Sequence, residues 1–338
     1  MLDLTAAGVW EGLRGKRLFL TGGTGFVGKW LLEALLFANQ RLALGLHVTV
    51  LTRQPQAFVA QHPHLALAPG VTLWQGDVVD CDGPAMRCDL VVHAALPVLP
   101  LAMHSPDLMM VSQGGTARMA AWAVAMGAQR FLHISSGAVY GPQAAQVLAL
   151  DEATAWDDSA SANAYTLAKR AAEHVLNDRA WPFDWVIARC FAFIGPYQSE
   201  NQGTAAAQLL SAAARNQSLV LSGTGQAVRS YQYASDMARW LLVMLVHGRA
   251  GEAYNVGHDT PWRLVDVAHQ IAQTAQPALG VSTLGQPSSG LAGERYLPSL
   301  RKARDQLRLL NAVDLPIGIQ RTLDWLGTPC LQPVSNQP

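Results

Sequence analysis

Hydrophobic and polar positions along the chain alternate between short apolar runs and amphipathic stretches. Leu18-Phe19-Leu20 predicts a buried strand, and Trp30-Leu31-Leu32-Ala34-Leu35-Leu36 behind it has helical spacing. Residues 46–51 predict a second strand ending at Thr52-Arg53, Val71-Thr72-Leu73-Trp74 a third, and Leu90-Val91-Val92 a fourth. An alanine-rich helix over 116–126 leads into a fifth strand, 130–134, that ends in Ser135-Ser136. Strand alternating with helix predicts an α/β chain with a parallel, doubly wound sheet and right-handed crossovers. Ligands in such sheets bind beyond the carboxyl ends of the strands.

Beyond about Phe191 the rhythm loosens, with glycine-marked loops between helices expected at 205–216, 236–247 and 264–274. The organisation expected is a dinucleotide-binding domain over 1–190, to which later segments return. Residues 191–328 form mainly a smaller C-terminal substrate-binding lobe, and 329–338 a frayed tail. The Gly/Pro/Ser-rich stretch 276–293 reads as a flexible loop, and His62-Pro63-His64 as a surface loop. Asp89, at a strand entrance, reads as a solvated turn residue. Trp10, Trp30, Trp122, Trp240 and Trp325 sit in helical apolar patterns and are expected in the core.

Glycines at 22, 23, 25 and 28 join the first strand to its helix. In that context Gly22 permits a sharp turn, Gly25 lets backbone N–H groups approach a pyrophosphate, and Gly28 lets helix pack on strand. The helix N-terminus adds free amides and partial positive charge. Candidate cofactor contacts are therefore Gly22, Thr24, Gly25, Phe26, Val27 and Gly28. After the second strand no acidic residue is present to bind ribose hydroxyls. Thr52 and Arg53 stand there instead, and Arg53 is either a ligand for a 2′-phosphate, which leans toward NADP over NAD, or a solvated loop residue. Ala94 and Ala95 are small enough to let a flat ring lie against backbone.

Composition narrows the class. The chain has 338 residues, half of them hydrophobic, with formal net charge zero, so no basic field points to nucleic acid or an anionic membrane. The four cysteines show neither CxxC spacing nor a disulfide framework, which fits a reducing cytoplasm. Residues 1–14 carry charges and lack the apolar core of a signal peptide. No apolar segment is long enough to span a bilayer, and no cluster of metal ligands is spaced for a metal.

Tyr165 and Lys169 stand four apart in a stretch of helical character, which puts both on one face. An ammonium there is expected to lower the phenol's pKa, so that the phenol moves a proton to or from a sugar hydroxyl near neutral pH. Ser136, at the end of the fifth strand, is placed to hydrogen-bond the same oxygen.

TGGTGFVG, HAA, SSGAVYG, YTLAK, RCFAFIGP, GTGQAVRSYQYASDMA and AYNVG together resemble the extended short-chain dehydrogenase/reductases that act on nucleoside-diphosphate sugars. The resemblance runs in order from about Lys16 to Leu326 and implies a Rossmann-type sheet. It implies Tyr165 as catalytic acid/base, Lys169 as its modulator and ribose ligand, and Ser136 as third member and substrate contact. It also implies Asp77 and Val78 near adenine, Ala94 and Ala95 near pyrophosphate and ribose, and a homodimer built on a four-helix bundle. Arg229 resembles the arginine that grips the sugar-nucleotide diphosphate; the alternative is a loop ion pair with Asp236. Arg295 is a further nucleotide candidate.

The departures bear on reaction type. Gly137 and Ala138 stand where the 4,6-dehydratases carry an Asp-Glu pair and the glucuronate decarboxylases a nearby Glu. Ser112 and Ala192 stand where the family often has asparagines. The reading is an NAD(P)-dependent epimerase or 4-ketoreductase transferring hydride at one sugar carbon. The alternatives are a 4,6-dehydratase with atypical acid/base groups and a non-catalytic nucleotide-binding subunit.

Overall fold

The computed structural model describes residues 8–80, 86–95, 105–156, 162–198, 204–285 and 294–327. Its centre is a seven-stranded sheet of β1 (Arg17–Thr21), β2 (His47–Thr52), β3 (Val71–Gln75), β4 (Leu90–His93), β5 (Arg130–Ser136), β6 (Asp184–Cys190) and β11 (Glu252–Val256). The order across it is β3-β2-β1-β4-β5-β6-β11, and every pairing is parallel. Chain order reverses between β1 and β4, which opens the crevice where doubly wound sheets bind nucleotides.

Side-chain alternation decides which helices cover which face. Leu18, Leu20, Val50, Val92, Leu132, Ile134 and Val186 point one way, into a core with α2 (Phe26–Leu42) and α9 (Ala234–His247). Phe19, Val91, Phe131 and Ile187 point the other way, against α6 (Gly115–Met126) and α7 (Ala164–Asn177). Trp240, on α9, is the largest fully buried side chain of the first core.

A second core gathers residues from the latter half of the chain. Leu209 and Leu210 of α8 (Ala205–Ala214), Ile271 of α10 (Leu264–Thr274) and Ile319 of α12 (Leu315–Gly327) pack there with Tyr231 and Tyr233 of β10 (Tyr231–Tyr233). Small sheets tie this part together, β10 with β7 (Ala192–Ile194), and β9 (Val228–Arg229) between β12 (Trp262–Arg263) and β14 (Arg295–Tyr296). The expected loop over 276–293 contains a strand, β13 (Val281–Thr283), paired in parallel with β8 (Leu219–Leu221); alternate side chains let even a polar strand complete a small sheet. Residues 286–293 and 328–338, including the expected tail, lie outside the described residues.

Two loop expectations change. His62 is buried at 5% exposure, because Lys29 and Tyr197 close over it: its Nε2 lies 3.3 Å from Lys29 Nζ and its ring 5.5 Å from that of Tyr197. Asp89 accepts a hydrogen bond from the Arg17 N–H at 2.7 Å, so it fixes the start of β1 against β4 instead of facing solvent alone. No helix among the described residues is long and apolar enough to cross a membrane.

Candidate active site

The glycine turn is built by close approach. Gly22 has φ +68°, and a Cβ on it would stand 2.3 Å from the Ala94 carbonyl oxygen across the β1–β4 crevice. A Cβ on Gly28 would stand 2.3 Å from Gly22 O, and one on Gly23 2.5 Å from Val50 Cγ1. Gly25, the N-cap of α2, has no side-chain cap, so the first amides of the helix point into the crevice unclaimed by any side chain. This cradle fits a pyrophosphate held by backbone N–H groups. Thr24 and Gly25 are exposed at the turn's tip. Phe26 sends its ring into the core, 6.3 Å from Phe193, so it offers the crevice only its backbone; Val27 is half-buried beside it.

Thr52 is buried at the end of β2, and the Arg53 side chain, 80% exposed, reaches to 3.8 Å from Asp77 Oδ2. Asp77 Oδ1 accepts from the Val79 N–H at 3.1 Å. The Val78 side chain is buried in the core on the α6 face of the sheet. Ala94 and Ala95 stand half-buried at the end of β4, Ala94 hydrogen-bonded through its N–H to Thr21. The glycine turn, Arg53, Asp77 and the alanine pair therefore line one edge of the sheet.

Asn163 caps α7, its Oδ1 accepting from the Thr166 N–H at 2.9 Å, so the helix starts one residue before Tyr165. Tyr165 and Lys169 share one face, with Lys169 Nζ 5.9 Å from the centre of the phenol ring. Lys169 is buried and donates to Ile134 O at 2.9 Å, which pins α7 to β5 two residues before Ser136. Ser136 Oγ accepts from the Ala138 N–H at 3.2 Å and lies near enough to the Tyr165 phenol to lower its pKa. The three predicted catalytic groups are thus brought together.

The electrostatics differ from the expectation. Burial pushes the Tyr165 phenol up to about 12, against the lowering effect of Ser136, and burial brings Lys169 down to about 8. The ammonium serves Ile134 O and not the phenol oxygen, so desolvation outweighs the pull that the helical spacing alone would predict.

Several neighbours carry no local sequence signal. Glu173 lies a further turn along the Tyr165–Lys169 stripe, fully buried. It accepts from Arg189 through Nη2 at 2.8 Å and Nε at 3.2 Å, and from Ser135 Oγ at 2.5 Å. A buried carboxylate satisfied on this many sides locks α7 to β5 and β6. Its one legible trace is its place on the helix stripe, four residues after Lys169.

From the other half of the chain comes Tyr296, its ring 4.5 Å from that of Phe191 and its hydroxyl 2.6 Å from where a Cβ on Gly137 would stand. Arg229 lies over Tyr296 at 5.6 Å and pairs with Glu294 Oε2 at 3.2 Å. It does not pair with Asp236 as the alternative held, because Asp236 is taken by Arg239 at 3.0 Å. Arg295 is half-buried, and its Nε has no hydrogen-bond partner. Ser112 lies in a π-helical turn, Met110–Gly114, and donates to Ala168 O at 2.8 Å, which ties that turn to α7.

A glycine cradle at the switch point, with Tyr165, Lys169 and Ser136 at the neighbouring strand ends, defines a dinucleotide-binding α/β oxidoreductase. The pattern of the NAD dependent epimerase/dehydratase family matches residues 18–257, and the chain belongs to that family. UDP-glucuronic acid decarboxylase 1 of Arabidopsis thaliana is 25% identical over 312 residues, covering 90% of this chain and 68% of the relative. A dTDP-glucose 4,6-dehydratase of Streptomyces niveus is 27% identical over 328 residues, covering 91% and 92%. Among solved structures, UDP-glucuronic acid 4-epimerase from Bacillus cereus, with NAD and a fluorinated UDP-glucuronic acid, superposes with TM-score 0.76 at 20% identity, over 92% of this chain and 98% of that one.

Proposed function

We propose that this chain is a nicotinamide-dependent enzyme acting on a nucleoside-diphosphate sugar by hydride transfer at one sugar carbon, as a 4-epimerase or 4-ketoreductase. The observation that carries this reading is Tyr165, Lys169 and Ser136 held together beside Gly137 and Ala138, neither of which has a side chain able to exchange a proton. A dehydration or decarboxylation needs a further acid or base at a neighbouring carbon. The relatives named as dehydratase and decarboxylase keep those reactions as the second reading.

In this reading the glycine turn and the α2 N-terminus hold the pyrophosphate, with Asp77 and Val78 at the adenine end and Ala94 and Ala95 along the ribose. The bound nicotinamide supplies reversible two-electron redox chemistry at the sugar carbon. Tyr165 moves the proton of the reacting hydroxyl, Ser136 hydrogen-bonds the same oxygen, and Lys169 holds positive charge beneath the pair and binds ribose. Arg229, beside Tyr296, grips the diphosphate, and the second hydrophobic core carries the lobe that closes on the sugar nucleotide. Lys169, buried beside Glu173, keeps its charge near neutral pH, since it titrates only at about 8.

The cofactor is NAD or NADP, with Arg53 favouring NADP. The place of work is the cytosol, and the assembly is a homodimer through α6 and α7, where Val124 and Leu167 are 43% and 46% exposed. The deciding experiment offers purified protein UDP-, dTDP-, CDP- and GDP-sugars, with and without NADPH. Interconversion of epimers without net cofactor change supports an epimerase, and NADPH oxidation with a 4-keto sugar supports a reductase. A 4-keto-6-deoxy product or carbon dioxide would overturn the one-carbon reading.

A further inference from the structure

Lysine is scarce in this chain: four stand among its 24 Lys and Arg residues. Three donate to oxygens, Lys16 to Gln129 Oε1 at 3.2 Å, Lys169 to Ile134 O at 2.9 Å, and Lys302 to Glu252 Oε2 at 2.5 Å. Lys29, the residue after Gly28, differs. It is half-buried, and its Nζ lies 3.3 Å from His62 Nε2 with no ion pair among the described residues. Glu33, one turn further along α2, is claimed by Tyr197 Oη at 2.5 Å and His64 Nε2 at 3.1 Å. Burial takes the Lys29 ammonium down to about 8 and the His62 imidazole to about 4. Near neutral pH part of the amine is therefore free, and the imidazole beside it is neutral. A desolvated amine next to an unprotonated nitrogen base is a nucleophile with a proton acceptor at hand.

The same amine lies on the seam between α2 and the second core. Trp30 Nε1 donates to Pro196 O at 2.9 Å, and the Tyr197 ring stands 5.1 Å from that of Trp325 on α12. Tyr197 has φ +72°, a left-handed backbone that so bulky a residue keeps only where its surroundings hold it. Lys29 Nζ, 4.8 Å over the centre of the Tyr197 ring, is one of those restraints.

We propose that Lys29 is a modification site, its amine acylated by small acyl phosphates while His62 accepts the proton that the nitrogen sheds. Nζ bonds to the acyl carbon, the bond from that carbon to the phosphate oxygen breaks, and phosphate leaves with the electron pair. One Nζ proton passes to His62 Nε2 and on to water. Nothing is oxidised or reduced. The product is a neutral amide, so the cation over Tyr197 is lost and the seam loosens at its strained residue.

Acetyl phosphate added to the full chain tests this, with peptide mapping by mass spectrometry, since four lysines give four readable sites. Near neutral pH Lys29 is expected to acetylate about tenfold faster than Lys16, with Lys169 and Lys302 behind both. His62→Phe keeps a ring against Phe58 and Tyr197 but removes the acceptor, and is expected to slow Lys29 about threefold or more. Labelled protein is expected to exchange amide hydrogens faster over residues 195–198 and at the parent rate in β5. Lys16, Lys169 or Lys302 reacting first overturns the proposal, as does an unchanged Lys29 rate in His62→Phe. Labelling at Lys29 without faster exchange over 195–198 overturns the link to the seam. None of these readouts requires turnover of a sugar nucleotide, so they stand apart from the function proposed above.

Discussion

Lys169 Nζ donates to Ile134 O at 2.9 Å, so α7 is fastened to β5 by the same residue that is proposed to charge the site. Tyr165 has no such structural duty. Tyr165→Phe is therefore expected to abolish turnover by about a thousandfold while cofactor binding and melting temperature stay within error of the parent. Lys169→Met is expected to lose both turnover and stability. Steady-state kinetics, cofactor fluorescence titration and thermal melts separate the two; full activity in Tyr165→Phe would end the catalytic assignment.

His93 is buried, bonded through Nδ1 to Thr21 Oγ1 at 2.8 Å and through Nε2 to Thr116 Oγ1 at 3.2 Å, and burial lowers its pKa to about 3. Its neighbour His133, 5.5 Å away, is also buried, with both ring nitrogens unpartnered. Both rings stay neutral in the fold but take a proton below about pH 6.5 once unfolded. The unfolded state then binds more protons, so stability is full above pH 6.5 and falls as pH drops toward 3. At pH 5 His93 alone is expected to cost about 2 kcal/mol. Denaturant melts between pH 8 and 5 measure this, and a smaller acid loss in His93→Asn is the expected signature.

Gly28→Ala places a methyl group 2.3 Å from Gly22 O and 2.4 Å from Gly23 Cα, both backbone atoms that cannot swing aside. Loss of about 2 kcal/mol or more is expected, together with loss of cofactor binding, because the turn itself must open. Gly15→Ala is the control: φ there is +67° but no atom lies within 4 Å of the added Cβ, so only modest strain without loss of cofactor binding is expected. Equal cofactor affinity in Gly28→Ala and the parent would contradict the cradle.

Arg53 is largely exposed, and among the described residues its only ion pair is the 3.8 Å approach to Asp77. Arg53→Ser is expected to weaken NADPH binding about tenfold and leave NADH binding within twofold, a charge-assisted contact being lost only to the 2′-phosphate. Calorimetric titration with both cofactors reads the ratio. Equal loss for both would remove Arg53 as a phosphate ligand and leave NAD favoured.

Leu167 projects from α7 at 46% exposure and Val124 from α6 at 43%. If these helices form a dimer core, Leu167→Glu buries a charge there and is expected to yield monomer in sedimentation experiments, with the fold retained by circular dichroism. An unchanged molecular mass would place the contact elsewhere.

The amino-acid sequence by itself determined the parallel sheet, the glycine cradle and the Tyr165–Lys169 stripe. Each is a short-range pattern: alternation along a strand, four-residue spacing on a helix, glycine where backbone must touch backbone. Only the tertiary structure decided what the candidate catalytic groups face. Lys169 turns to Ile134, Arg229 to Glu294 in place of Asp236, and His62 inward under Tyr197. Tyr296 arrives against Gly137 from the latter part of the chain. Such pairings join segments with no shared periodicity, and burial then sets the protonation of whatever they enclose, so no local reading of residue types could supply them.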